Sequence, residues 1–310
     1  MVVRGRAWGC VAGFAAVAAL VVATPAGAAS GAPTGKFGVG RFMLTFVDTS
    51  RATPANGSYP GAPSRTLPTL ISYPALDGQP APGSHPLVVF ATGIGDSPTQ
   101  YEALFDFWVR AGFIVAEPTF PLSNDHAPGG STAADLANQP GDVSFVITQM
   151  LAANGSARSR LHGRINPRRV AVAGKSLGAL TVFEVGYNVA TRDRRVVAVI
   201  ALTGVVANAS PHFTGITTPL LLEHGTADTT VPISGSINAY AQANPPKFFV
   251  TLVGQTHGSA FGGGIHPAEV VVERTTTDFL ERYVTGQAAA LAGLQQAGNV
   301  PSVASLQAAP

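Results

Sequence analysis

The sequence predicts an α/β fold in which a mostly parallel central sheet is covered by helices on both faces. Short apolar runs of strand length alternate with longer helix-like segments along most of the chain. Strands buried on both faces read as continuous apolar runs. Hydrophobic residues make up 46% of the 310 residues, which is enough for a sizeable core. The 35 glycines and 24 prolines indicate many turns and argue against a helical bundle.

The first half of the chain opens with strands and leads into a helix. Ser97 and Pro98 suit the N-cap and the first position of a helix over 98–111, and Gly112 suits its end. The other predicted elements are an antiparallel opening at 37–48 and 67–74, buried strands at 87–91 and 113–116, a loop over 117–140 and a helix over 141–153.

The second half continues the alternation without an internal linker. Strands are predicted at 170–173, 196–202, 220–222 and 248–253, and helices at 177–190, 234–243 and 267–284. We therefore expect one domain over 36–284. No charged residue follows Arg282, and the Ala- and Gln-rich segment 285–310 is predicted to be a low-complexity tail, either a weak helix or disordered.

The N-terminus has the layout of a secretory signal peptide. Arg4 and Arg6 precede an apolar run over 11–23, and small residues at 26–28 form a cleavage site. A transmembrane anchor is the alternative, but a bilayer core needs about 20 apolar residues. The sequence therefore predicts a signal peptide over 1–28 and a secreted or extracytoplasmic protein.

Cysteine and charge restrict the partners. The only cysteine, Cys10, lies in the predicted signal peptide, so the mature chain would have no disulfide and no cysteine metal site. The formal charge of +2 includes Arg4 and Arg6, which leaves the mature chain near neutral. We expect no nucleic-acid partner, no stable membrane anchor and a monomer.

A G-x-S-x-G pentapeptide marks the candidate nucleophile. Gly174-Lys175-Ser176-Leu177-Gly178 follows a predicted strand and begins a predicted helix, which is the context of a nucleophile elbow. The serine there sits on a sharp turn, and side chains at the two glycine positions would collide with the neighbouring strand or helix. A chance serine in an ordinary strand-to-helix turn is the alternative.

The same residues also resemble the end of a phosphate-binding loop. That motif, G-x-x-x-x-G-K-[ST], requires glycine at position 169, where this chain has Arg169. Positions 170–173 are strand residues rather than a flexible loop. The nucleotide-binding interpretation is therefore rejected.

A nucleophilic serine needs a base and an orienting acid, which follow it in this order along the chain: serine, acid, histidine. Asp228 follows strand 220–222 and His257 follows strand 248–253, so both lie at C-terminal strand ends, where catalytic groups collect. His224 precedes the acid, and His266 is the reserve candidate for the base. The predicted triad is Ser176, Asp228 and His257.

The predicted oxyanion hole consists of two backbone N–H groups. One belongs to Leu177, directly after the nucleophile. The other is assigned to Ile94 in the loop after strand 87–91, where Gly93 would let the backbone turn. An ordinary glycine turn is the alternative for this loop.

Four motifs together carry a family resemblance: Ala91-Thr-Gly-Ile-Gly95, Ala173-Gly-Lys-Ser-Leu-Gly178, His224-Gly-Thr-Ala-Asp228 with Val231-Pro232, and Thr256-His257-Gly258. Over roughly 36–284 the chain resembles the α/β-hydrolases grouped around dienelactone hydrolases, platelet-activating-factor acetylhydrolases and bacterial cutinase-like polyester hydrolases. The resemblance implies an α/β-hydrolase fold and an esterase or lipase without a metal or organic cofactor. Two departures are Lys175, where members often have His or Tyr, and Thr92-Gly93, where they often have His-Gly or Pro-Gly.

The substrate is less defined by the sequence. Only 17 residues, 203–219, separate two predicted strands, so a large helical lid has no room and short acyl esters or polymers are expected. Gly93, Phe120 and Lys175 are the candidate substrate contacts, although the loop that holds Phe120 could equally be a plain surface loop. A peptidase, an acyltransferase and a catalytically inert binding protein remain as alternatives.

Overall fold

The computed structural model describes residues 1–2, 35–97, 99–206 and 212–310. From Gly35 onward these residues form one compact unit. The predicted signal peptide over 1–28 lies outside the described residues except for Met1 and Val2, and Pro98 also lies outside them. None of the described helices combines the length and the apolar composition that crossing a bilayer requires.

Within the described residues, ten strands form one sheet. They are β1 (Gly38–Asp48), β2 (Arg65–Leu76), β3 (Gln79–Pro80), β4 (His85–Ala91), β5 (Ile114–Pro118), β6 (Ile165–Lys175), β7 (Val196–Leu202), β8 (Leu220–Gly225), β9 (Lys247–Leu252) and β10 (Ala304–Ala309). Their spatial order is β1-β2-β5-β4-β6-β7-β8-β9-β10, with β3 beside β2. Strands β4 to β9 run parallel, and β1, β2 and β10 are antiparallel to their neighbours. This confirms the predicted mostly parallel sheet with an antiparallel opening.

Helices cover both faces of the sheet, as predicted. They are α1 (Glu102–Ala111), α2 (Gln139–Gly155), α3 (Leu177–Tyr187), α4 (Ser234–Gln242), α5 (Pro267–Leu280) and α6 (Ala290–Ala297). One core packs α2, α3 and α4 against the sheet through residues such as Val146 and Val182. The other packs α1, α5 and α6 through residues such as Trp108, Val272 and Leu294. Both sheet faces are therefore buried, which explains the apolar strands.

Helix α1 begins four residues later than the sequence predicts. The Gln100 N–H donates to the Ser97 carbonyl at 3.2 Å, so a separate turn precedes the helix. Tyr101 takes the N-cap position with its side chain buried, and Ser97 does not cap the helix. The end of the helix is as predicted, because Gly112 adopts a left-handed conformation with φ 108°.

A buried ion-pair network orders much of the predicted loop 117–140. Arg65 is fully buried, and its guanidinium contacts Asp142 at 2.7 Å and Asp135 at 3.0 Å. Asp135 also accepts the Leu122 N–H at 3.1 Å, and it lies in a short 3₁₀ helix, Ala133–Ala137. Buried charges of this kind persist only when paired, so the network fixes this segment against β2.

The segment 285–310 differs from the predicted low-complexity tail. After a π-helical turn, Glu281–Thr285, it forms α6 and then strand β10, which pairs with β9 from Ala304↔Leu252 to Ala309↔Lys247. Leu294 is fully buried, and Ala304 is 7% exposed. These contacts pack the segment onto the core and onto β9.

Candidate active site

The three predicted triad residues meet at one edge of the sheet. Ser176 directly follows β6, Asp228 follows β8, and His257 follows β9. Because these strands are parallel, their C-terminal ends point to the same edge. The topology therefore brings together residues that are up to 81 positions apart in sequence.

Ser176 occupies a strained turn between β6 and α3. Its backbone has φ 57° and ψ −118°, a conformation rare for a residue with a side chain. A Cβ at Gly174 would overlap the carbonyl of Gly178, and one at Gly178 would overlap the carbonyl of Ala91. The two glycines thus serve the steric purpose expected of the pentapeptide, which is close approach of α3 to the sheet.

Hydrogen bonds link the three side chains in series. The Nε2 atom of His257 lies 2.8 Å from the Ser176 hydroxyl oxygen, and its Nδ1 atom lies 2.7 Å from Oδ2 of Asp228. The Asp228 side chain is fully buried, whereas that of His257 is 17% exposed. With Nδ1 protonated against the carboxylate, Nε2 is free to accept a hydrogen bond from the serine hydroxyl.

Asp228 is held as an anion. Its Oδ1 atom accepts the backbone N–H groups of Thr230 and Val231, both at 2.9 Å. Burial by itself raises the pKa of Asp228, but the hydrogen bonds from His257 and from these two N–H groups outweigh it, and the pKa lies below the usual value.

His224 is a neighbour of the acid that sequence reasoning did not assign to the site. Its Nε2 atom lies 3.2 Å from Oδ2 of Asp228 and 2.9 Å from the Val231 carbonyl, while its Nδ1 atom lies 2.8 Å from the Ser236 hydroxyl. Burial lowers the pKa of His224 more than its hydrogen bonds raise it. A neutral ring with its proton on Nε2 satisfies both acceptors there. Its position four residues before Asp228 was the one feature of the sequence that could have indicated this contact.

His266 does not enter this arrangement. It is the N-cap residue of α5, where its backbone N–H donates to Glu269 at 3.0 Å in a capping box. Its position favours a structural role at the helix end.

The two predicted oxyanion donors are Leu177, which directly follows Ser176, and Ile94, which follows Gly93 in the loop after β4. Leu177 is the first residue of α3, so its N–H has no partner within the helix. Ile94 is the second residue of a turn in which the Asp96 N–H donates to the Gly93 carbonyl at 3.4 Å. The Gly95 N–H donates to Ser123 at 2.7 Å and anchors this turn. Neither the helix nor the turn uses the N–H of Leu177 or Ile94.

The structure contradicts one of the three predicted substrate contacts, Phe120. Phe120 is fully buried in the core, so its ring has no surface for a substrate. The Lys175 side chain is 7% exposed and turns toward Asp96, with Nζ 3.8 Å from Oδ2. Gly93 does lie beside the nucleophile, since a Cβ at this position would be 3.3 Å from the Cβ of Ser176.

Comparison with known proteins gives a structural match only. No protein-family model matches the sequence, and a search of curated proteins finds no match. Among solved structures, the chain is similar to a ferulic acid esterase from Streptomyces cinnamoneus, with a TM-score of 0.66 and 21% identity. The match covers 83% of this chain and 93% of that one. Together with the sheet and its helices, this likeness shows an α/β-hydrolase fold.

Proposed function

We propose that this chain is a serine hydrolase that cleaves carboxylic esters through an acyl-enzyme on Ser176. The observation that carries the proposal is the continuous hydrogen-bond series from the serine hydroxyl through His257 to the buried anion Asp228. A serine on a strained elbow, a histidine base and an orienting carboxylate are what nucleophilic attack on a carbonyl requires.

The reaction follows from the positions of these atoms. His257 Nε2 takes the hydroxyl proton as Ser176 Oγ bonds to the ester carbonyl carbon. The N–H groups of Leu177 and Ile94 stabilise the developing oxyanion. His257 then gives its proton to the leaving alcohol as the C–O bond breaks. A water molecule then gives a proton to the same imidazole and attacks the acyl carbon. The bond between Ser176 Oγ and the acyl carbon breaks, and His257 returns the proton to Oγ, which releases the acid and regenerates the serine hydroxyl.

We further propose that the substrate is a short acyl ester or an ester in a polymer, and that the protein works outside the cytoplasm. The short link between β7 and β8 supports an uncovered site, and the layout of residues 1–28 supports export. Because the structurally similar protein is a ferulic acid esterase, feruloyl esters join the candidates. A panel of acyl chain lengths, methyl ferulate, an amide and a solid polyester film distinguishes these substrates from a peptidase activity.

The direct test is Ser176→Ala, assayed with p-nitrophenyl acetate and a fluorophosphonate probe. We expect wild type to turn over the ester and to be labelled, and the variant to lose both while its circular dichroism spectrum is unchanged. Ser305→Ala is the matched control, because Ser305 is exposed on β10 and far from the elbow in the sheet order. Turnover by Ser176→Ala at the wild-type rate, or an unlabelled wild type, would reject the assignment.

A further inference from the structure

A buried lysine stands directly beside the nucleophile, and the proposed chemistry does not use it. Lys175 is the last residue of β6, and its side chain is 7% exposed. Lysine is rarely buried without a partner. The cation here faces Asp96, whose Oδ2 atom lies 3.8 Å from Nζ and whose side chain is 11% exposed.

Asp96 in turn holds the loop that contains the second oxyanion donor. Its Oδ2 atom accepts the Gly93 N–H at 2.8 Å and also accepts the hydroxyl of Tyr101. A Cβ at Gly93 would overlap this carboxylate. The carboxylate is therefore packed against the backbone that leads into Ile94, next to Ser176.

A second buried carboxyl group, that of Glu117, lies near Asp96. Glu117, on β5, is 1% exposed, and neither of its carboxylate oxygens has a hydrogen-bond partner among the described residues. Burial raises the pKa of Glu117 well above its usual value, and the charges of Glu102 and Asp96 raise it further. A Glu117 that keeps its proton carries no negative charge, so the carboxylate that Lys175 faces and balances is that of Asp96.

We propose that Lys175 is a positioning residue for the oxyanion hole and acts through Asp96. The Lys175 cation holds the Asp96 carboxylate, the carboxylate holds the Gly93 N–H, and this fixes the Ile94 N–H at the distance that the tetrahedral intermediate requires. The inference rests on the proposed ester hydrolysis and assigns Lys175 a role other than substrate contact.

The test removes the charge and keeps the length of the side chain. In Lys175→Met we expect kcat for p-nitrophenyl acetate to fall about 10- to 100-fold, which is at most the loss caused by deleting one oxyanion donor. We expect KM to change less than about twofold. The inhibition constant of phenylboronic acid, whose serine adduct is tetrahedral, should rise by a similar factor to the fall in kcat. A purely structural role would not move these two quantities together.

Lys247→Met is the matched control, because Lys247 is half-buried at the start of β9 and donates to the Tyr240 carbonyl at 2.7 Å, away from the elbow. It should keep the wild-type kcat and boronic acid affinity. A loss in this control as large as that in Lys175→Met would overturn the positioning role.

A double-substitution cycle tests whether Lys175 acts through Asp96. The double variant Asp96→Asn/Lys175→Met should bind boronic acid less than about twofold more weakly than Asp96→Asn alone, because the effects of coupled residues are not additive. The double variant also removes both buried charges together, which keeps the test open if Lys175→Met alone does not fold. Wild-type boronic acid affinity in the double variant would overturn the inference.

The outcomes separate the two proposals. An active, labelled wild type together with a Lys175→Met variant of unchanged kcat and boronic acid affinity rejects only the positioning role. A variant that changes KM alone assigns Lys175 to direct substrate contact and also rejects that role. A wild type that neither turns over esters nor reacts with a fluorophosphonate rejects the proposed function and this inference with it.

Discussion

Asp228 uses its two oxygens for different tasks. Oδ1 is held by two backbone N–H groups of its own loop, which fixes the carboxylate plane. Oδ2 faces His257 at 2.7 Å and His224 at 3.2 Å. The low pKa that follows from these bonds keeps the carboxylate ionised. In the proposed reaction it fixes the proton on Nδ1 of His257 and stabilises the imidazolium.

Asp228→Asn should therefore damage catalysis far more than folding. An amide can present its NH₂ group to His257 and favour the wrong tautomer, and in a serine protease this change lowers kcat by about 10⁴-fold. We expect a loss of about that order in kcat with p-nitrophenyl acetate, with little change in the melting temperature. Asp77→Asn, in an exposed turn, is the control and should leave kcat unchanged. A loss of less than about tenfold in Asp228→Asn would contradict the role of the acid.

At the residue scale, the order of Ser176, Asp228 and His257 was predictable because each follows an apolar strand that is recognisable in the sequence. Asp96, Tyr101 and His224 were not assigned, because their roles depend on distances across loops that no spacing rule specifies. Phe120 was misassigned for a related reason. Proximity to the site in sequence does not show whether a side chain points to solvent or into the core.

Helix α5 carries an acid whose environment makes stability depend on pH. Glu273 is 1% exposed; its Oε1 atom accepts the Gly264 N–H at 2.8 Å, and Oε2 has no partner among the described residues. Burial, together with the charge of Glu269, raises the pKa of Glu273 to about 7 against the opposing hydrogen bond from Gly264. In the unfolded chain the pKa of a glutamate is about 4.3. The folded state therefore binds more protons between these two values.

It follows that Glu273 lowers stability as the pH rises from about 4.3 to about 7, and that this loss levels off above pH 7. Glu273→Gln removes the titrating group and should therefore gain stability over wild type as the pH rises. We expect the difference in the free energy of unfolding to grow by about 2–3 kcal/mol between pH 4.5 and pH 8. Urea denaturation at the two pH values measures it. A difference that is the same at both pH values would contradict the role of this carboxyl.

At the element scale, strand and helix positions followed from apolar periodicity, and β7 was predicted with both ends correct. The start of α1 was not predicted correctly. Tyr101 is buried against Phe90 with ring centroids 4.8 Å apart, and this contact fixes the turn that precedes the helix. The loop 117–140 was predicted to be irregular. Its order comes from Arg65, which lies 70 residues before its partner Asp135, and local sequence contains no sign of that pairing.

At the scale of the whole molecule, the last segment of the chain completes the sheet next to the candidate site. Strand β10 covers the outer edge of β9, and the loop that follows β9 carries His257. The Val253 N–H, just beyond β9, donates to the Val303 carbonyl at 2.8 Å. Composition alone predicted a tail here, because a single uncharged strand and a short helix give a weak local signal. Its tertiary partners, β9 and α5, decide its structure.

Deleting 287–310 should for this reason destabilise the fold and promote association. The deletion exposes the hydrogen-bonding edge of β9, and bare strand edges pair with other chains. It also removes Leu294, which is fully buried, and loss of such a side chain costs about 2–5 kcal/mol. We expect a melting temperature lower by several degrees, a larger species in gel filtration and a reduced kcat, since the His257 loop loses its support.

Leu294→Ala in the full chain keeps β10 in place and should lower the melting temperature without association. If the shortened chain has the melting temperature, elution volume and kcat of the full chain, the segment is dispensable and the sheet does not need β10.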